Sequence, residues 1–270
     1  MKRVAASCAA AVLALLVAAG CGGTDDEAPA AETTRVLIYL LRGEQVGAAA
    51  REVPETDEVA RAALEQLLLG PDDEETAGGL GTSIPEGSRL LDVAIADGVA
   101  TVDLSGAFDG GGGGSASMFT RLAQVVFTLT QFPTVDGVRL RIDGQDVETF
   151  SAEGIVLDGP QDRTDYEDQS PAILVESPAF GDTVSSLFRL AGTANTFEAN
   201  FQWELLAPDG TKLAGDFVTA TCGTGCRGTF AEEVAFDPGA ADTVTLVVWE
   251  PSAEDGSRTK EVRIPLAVEG

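Results

Sequence analysis

Residues 91–104 read LDVAIADGVATVDL. Leu91, Val93 and Ile95 alternate with polar or small residues. After Asp97-Gly98 the alternation resumes at Ala100, Val102 and Leu104. An Asp-Gly pair between two period-two runs predicts a β-hairpin, half-buried on one face. Upstream, Val59, Ala63 and Leu67 join Ala60, Leu64 and Leu68 in a wide apolar stripe. That spacing predicts a helix starting at Asp57, with Asp57 and Glu58 in its first turn and Gly70-Pro71 as its stop. Before it, Val36 to Leu41 reads as a buried strand, with Val46 to Val53 as its hairpin partner. Asp72 to Gly81 reads as an acidic, glycine-rich loop.

Downstream, Gly110 to Gly114 lead into Ser115 and Ser117, either of which can cap a helix. Phe119, Leu122, Val126 and Leu129 line one face of that helix, and Pro133 ends it. Val138, Leu140 and Ile142 alternate once more. The predicted order is β-β-α-β-β-α-β, an α+β fold with two helices on one face of a small mixed sheet.

Near residue 160 the pattern changes. Asp158, Asp162, Asp165, Glu167 and Asp168 surround Pro160 and Arg163, which predicts a solvated acidic linker over 158–170. From Pro171 the period is two throughout. Phe197, Ala199, Phe201, Trp203 and Leu205 fall on one side, and Glu198, Asn200, Gln202 and Glu204 on the other. Runs at Val244–Val248 and Val262–Leu266, separated by turns such as Pro208-Asp209-Gly210, predict about seven strands in an immunoglobulin-like sandwich. Trp203 and Trp249 are expected in or beside its core.

The N-terminus carries an address. Lys2 and Arg3 precede an apolar run from Val4 to Val17, closed by Ala18-Ala19-Gly20-Cys21. That is a signal peptide over residues 1–20, too short to remain as a membrane span. The Ala-Ala-Gly-Cys junction resembles a bacterial lipobox, which implies diacylglycerol on Cys21 and a protein held at the outer face of the cell membrane by lipid alone. Gly22 to Thr34 has no apolar periodicity, and residues 21–34 read as a disordered tether. The predicted body is then an α+β domain over 35–157, the linker, and a sandwich over 171–270.

Composition excludes whole classes of function. The chain holds 17 Lys and Arg against 44 Asp and Glu, a formal charge of −27. Loss of residues 1–20 removes Lys2, Arg3 and no acid, giving −29. Such a surface does not attract nucleic acid or anionic lipid. There is no His, so triads, Cys-His dyads and most catalytic zinc sites are excluded. Cys222 and Cys226, in Cys-Gly-Thr-Gly-Cys, predict a structural disulfide in an oxidising compartment. Their spacing is not Cys-x-x-Cys, and two thiols without His make a poor zinc site.

Several blocks in order resemble the GerMN, or sporulation and spore germination, domain. They are Val59 to Leu69 with Gly70-Pro71, Thr82-Ser83-Ile84-Pro85-Glu86-Gly87, Val99 to Ser105, Arg121 to Leu129, and Val138 to Gly144. The likeness spans about residues 35–160. The second half resembles the Gmad2 immunoglobulin-like domain through Ile173 to Pro178, Gly192-Thr193-Ala194 with Phe197-Glu198, and Trp249-Glu250 to Gly256 ahead of Val262 to Leu266. The resemblance implies an extracytoplasmic interaction role, akin to ring-building modules, with no catalytic residues to carry over.

Other constellations read blandly. The glycine run lacks the Lys of a phosphate loop, although a bare helix N-terminus can hold an anion. The acidic connector lacks the spacing of a calcium loop. Arg121 and Arg141 are expected in surface ion pairs. Among this many acids some pair is inevitable, so a two-carboxylate glycosidase has little to recommend it. No catalytic residue, cofactor or metal is predicted. The expected partner is another envelope protein. Binding of cell-wall polymer or cations is the alternative, and a wall hydrolase is a third.

Overall fold

A computed structural model describes residues 32–269. The signal peptide, Cys21 and nearly all of the tether therefore lie outside the described residues, and only its last three positions are placed. From Glu32 onward the chain forms one compact unit.

The first hairpin pairs β1 (Thr33–Arg42) with β2 (Gln45–Pro54) through a two-residue turn. Then come α1 (Val59–Leu69), α2 (Asp73–Ala77), β3 (Leu90–Ala96), β4 (Val99–Leu104) and α3 (Gly114–Leu129). β5 (Gly137–Ile142) is followed by the short β6 (Gln145–Asp146), β7 (Thr149–Phe150) and β8 (Ile155–Val156). β3 runs antiparallel to β4 across Asp97-Gly98, and β4 runs parallel to β5, so the four-stranded sheet β3-β4-β5-β6 is mixed. Asp97 and Gly98 have φ of 50° and 80°, as a turn matched to strand twist requires.

The hairpin β1-β2 does not join that sheet. It forms a separate two-stranded layer, flanked by α1 and α3. Polar residues of α3 and of the turn that follows it explain this. In a hairpin closed by two residues, alternate positions turn their backbone groups outward. On β1 these include Leu37, Tyr39 and Leu41. Gln131 accepts from the Leu37 N–H (2.8 Å) and donates to its carbonyl (2.6 Å). Thr128 accepts from the Tyr39 N–H (3.1 Å), and Gln124 donates to the Tyr39 carbonyl (3.0 Å). Leu41 exchanges both bonds with Gly81. Helix side chains thus replace a neighbouring strand and satisfy backbone groups that burial would otherwise leave unpaired. With one face on α1, the other toward the second half and the outer edge on α3, Val36 to Leu41 are all buried.

Several local expectations are corrected. Asp57 and Glu58 precede α1 rather than filling its first turn. The loop read at Asp72–Gly81 contains α2, held by a capping box between Asp72 and Glu75. Neither Ser115 nor Ser117 caps α3: Gly113 occupies the cap position, with no side-chain bond, after a run of positive-φ glycines. Phe119 is only partly buried, because α3 buries most of its circumference rather than one stripe.

The second half comprises β9 (Ile173–Ser177), β10 (Thr183–Val184), β11 (Leu187–Ala194), β12 (Asn200–Leu206), β13 (Lys212–Thr219), β14 (Gly228–Ala235), β15 (Thr243–Pro251) and β16 (Arg258–Val268). Sheets ordered β14-β11-β9 and β10-β16-β15-β12-β13 enclose a core containing Phe201, Trp203, Leu205, Phe230 and Leu246. This is the immunoglobulin-like sandwich. Phe197 and Ala199 are not on the strand. They sit in a 3-10 turn with Glu198 and Ala199 at φ of 52° and 60°, and Phe197 is exposed. Glu204, placed on the solvent side by alternation, is buried and pairs with Arg258 at 2.6 Å. Trp249 is buried too, outside the sandwich core, with the Arg258 guanidinium 3.9 Å from its ring centre.

The acidic stretch before β9 is not a solvated link. Residues 163–169 form two 3-10 turns joined at a kink at Tyr166, whose side chain is buried in the first core. Arg163 donates to Glu176 (2.7 Å), Thr130 (2.9 Å) and the Tyr39 hydroxyl (3.0 Å), and lies over the Tyr39 and Phe127 rings. It therefore ties the first half to β9. Phe180 continues the tie: it bonds to Ala48 and Ala50 on the outer edge of β2 and enters the first core with Leu174 and Ala179. A Cβ on Gly78 would fall within 2.7 Å of the Phe180 ring, so only glycine admits that approach.

Candidate functional site

Both edges of the hairpin β1-β2 are occupied, one by α3 and one by Phe180. The edge of the four-stranded sheet differs. Among the described residues, β3 pairs with β4 on one side and with no strand on the other. Counting back from the turn, Ala96, Ala94 and Asp92 bond to β4, which leaves the N–H and C=O of Val93 and Ile95 facing outward. Leu91 is 45% exposed and Ile95 41%. The side chains of Val93 and Ile95 line a groove of about 330 Å³ whose other walls come from the start of α1 and from Phe132-Pro133.

The rim of this groove is acidic. Asp57 and Glu58 stand at one wall, and Asp92 on the strand reaches Arg61 beside them; Asp97 lies at the hairpin turn, where Asp136 abuts Gly98. Arg61 is the basic residue among them, and it bonds Glu58 and Asp92, each at 3.0 Å. The alternation at Leu91–Ile95 made the strand legible. Its position at a sheet edge comes from long-range pairing and has no local signal.

The residues singled out in the sequence fall elsewhere and do not converge. Arg121 is not in a surface ion pair. It is 1% exposed and donates to the carbonyls of Ser83 (3.0 Å), Phe108 (2.5 Å) and Gly110 (2.8 Å), pinning two loops from beneath. Burial lowers its pKa from the ordinary arginine value, and nearby Asp109 partly offsets this. Arg141 is at the surface, 2.6 Å from Asp146. The Cα atoms of Cys222 and Cys226 are 5.8 Å apart, inside the disulfide range. Gly223 between them packs against the Ala199 backbone where a Cβ would collide, and Gly225 has φ of 98°.

Beside this loop, Arg227 grips Glu167 through two bonds of 2.9 Å, and Asn195 adds a third at 3.0 Å. Burial alone would raise the Glu167 pKa, but these bonds outweigh it and hold the carboxyl below the usual range. Tyr39 and Tyr166 have pKa values pushed well above the ordinary tyrosine value, first by burial and then by the neighbouring carboxylates Glu176 and Asp165 respectively. Among the described residues, no group of three or more Cys, Asp or Glu is placed to hold a metal ion, and no helix is long and apolar enough to cross a membrane.

Two family models match the chain. One, described as sporulation and spore germination, covers residues 37–148. The other, the immunoglobulin-like domain of bacterial spore germination, covers residues 172–257. Among solved structures, the first GerMN domain of the sporulation protein GerM from Bacillus subtilis is 25% identical. It aligns with 49% of this chain and 99% of its own, at a TM-score of 0.42. The tandem GerMN domains of the same protein are 19% identical, over 76% of this chain and 62% of theirs, at 0.44. A Clostridium perfringens protein assigned as a lipoprotein is 20% identical, over 49% of this chain and 89% of its own, at 0.36. No curated protein matches the chain.

Proposed function

We propose, for a chain that pairs a sporulation and spore germination domain with the Gmad2 immunoglobulin-like domain, that the protein is a lipid-anchored component of the cell envelope. It works by binding another envelope protein and not by catalysis. Neither domain family is enzymatic, and the chain offers no imidazole to build a nucleophilic or metal centre. The observation that carries the binding reading is the open edge of β3 beside its groove, since an unpaired strand edge is a template for another chain.

In this reading Cys21 carries the lipid, residues 21–34 form the tether, and Cys222 and Cys226 are bonded outside the membrane. The same reading assigns a first domain to 35–157 and a sandwich to 171–270, with residues 158–170 joining them through the packed Arg163 and Tyr166. Cross-linking of the full-length lipidated protein in living cells, followed by mass spectrometry, tests the reading, with Cys21→Ser as the unanchored control. The expected result is a defined envelope protein captured by the anchored form and depleted in the control. Recovery of nothing beyond the control, or of peptidoglycan fragments alone, overturns it.

A further inference from the structure

The inference rests on the interaction reading above and gives the partner a chemistry. We infer that β3 is the docking strand, and that its occupant is an extended segment of a partner protein, apolar at alternate positions and basic between them.

Three features of the site converge on this. The outward backbone groups of Val93 and Ile95 supply donors and acceptors in strand register, so an added strand gains main-chain bonds without rearrangement. Every second residue of such a strand would point to the face that bears Val93 and Ile95, where the groove floor of α1 and Phe132 is apolar. The other face of β3 is small and flat at Ala94 and Ala96 and excludes nothing. β3 is seven residues long, so the complementary segment spans about 23 Å at 3.3 Å per residue.

Charge selects the occupant. Asp57 and Glu58 on the groove wall and Asp92 on the strand stand at the edge, with Arg61 bonded to Glu58 and Asp92, and Asp97 and Asp136 add negative charge at the hairpin turn. A second copy would bring two such rims together and pair like charges across the new ladder, which is destabilising. A chain of formal charge −27 also repels its own kind at long range. A basic segment is attracted at long range and pairs with the rim at contact.

The test uses the full chain from Cys21 onward with Cys21→Ser, at 0.15 M salt. The probes are an eight-residue peptide, Lys-Val-Thr-Val-Lys-Val-Thr-Lys, and its counterpart with Glu at each Lys. Binding is read from backbone amide shifts and a titration. The expected result is a shift confined to Leu90–Ala96 and the groove, with the glutamate peptide at least tenfold weaker. Ile95→Pro removes an outward N–H but no bond to β4, a placement proline tolerates on an edge strand. It should weaken the lysine peptide tenfold or more while leaving the melting temperature within a few degrees. Asp92→Asn gives a second variant that keeps every backbone bond, and it should weaken binding and flatten its salt dependence.

No shift at β3 up to millimolar peptide, equal affinity for both peptides, or binding unchanged in both variants overturns the proposal. So does a dimer in sedimentation that Ile95→Pro dissolves, because the occupant would then be a second copy. A cellular partner that cross-links to the protein outside β3 would overturn this docking site and leave the broader interaction reading standing.

Discussion

Replacing Gln124 with alanine should loosen the first hairpin, although residue 124 lies in α3 and outside β1 and β2. Gln124 is fully buried. Its amide nitrogen holds the Tyr39 carbonyl at 3.0 Å, and its oxygen accepts from the Ser83 N–H at 3.0 Å and the Thr82 hydroxyl at 3.1 Å. Truncation orphans the Tyr39 carbonyl in a dry interior, which costs about 1–3 kcal/mol. Ser83 is only half-buried, so water recovers part of its bond, and the loss there is about 0.5–1 kcal/mol. The vacated volume adds about 1 kcal/mol if the helix cannot settle. The sum, about 2.5–5 kcal/mol, is a large share of the ~5–15 kcal/mol that holds a domain together. Urea unfolding of Gln124→Ala measures it, with the exposed Gln202→Ala as a control expected within about 0.5 kcal/mol of wild type. Native-state hydrogen exchange should show faster exchange at Tyr39. A loss below about 1 kcal/mol, with Tyr39 exchange unchanged, would refute the idea that helix side chains stand in for a strand along β1.

Two further outcomes follow from buried groups. The chain has two tyrosines, Tyr39 and Tyr166, both buried with pKa values raised above the unfolded value near 10. Stability from a raised pKa is complete below the unfolded value and falls as pH rises past it. Unfolding free energy should therefore drop above pH 10 by about 1.4 kcal/mol per pH unit for each tyrosine. Tyrosinate absorbance at 295 nm should appear only with unfolding, and a smooth rise in the folded protein near pH 10 would contradict this. Arg163→Ala strips Glu176 and the Tyr39 hydroxyl of their shared cation. Both charged side chains keep about a quarter of their surface exposed, so the loss should be about 2–3 kcal/mol, under the 3–5 of a fully buried pair. Arg163→Lys should recover less than half in thermal unfolding, because lysine cannot reach Thr130, Tyr39 and Glu176 together.

Local period revealed most of the elements. The β4 strand, α1, β5 and most of the sandwich strands repeat at 2.0 or 3.6 residues because each buries one face; β3 alternates although it stays exposed, and α3 buries most of its circumference. What the period does not carry is which element lies beside which. β1 and β2 read as part of one sheet, since nothing within 33–54 shows that Gln124, Thr128 and Gln131 occupy the outer edge. Those three polar residues, spaced four and three apart along an apolar helix and the turn that ends it, were a usable signal. Arg163 and Tyr166 were hidden in a run of acids that suggested solvent, and Arg121 resembled the surface arginines around it. The docking strand was half legible: its alternation was visible, but its free edge depends on where the rest of the sheet stops.

The position of β1 in the chain has a consequence for synthesis. Its neighbours are Gln124 to Gln131 and, beyond β2, Phe180. At about 5–20 residues per second, Phe180 follows Leu41 by roughly 7–28 s. Over that interval the six consecutive apolar residues Val36–Leu41 gain first α1 and then α3, and the side closed by Arg163, Glu176 and Phe180 is covered last. The first strand made is among the last to be fully enclosed, because one side of it waits for residues more than a hundred positions later in the chain.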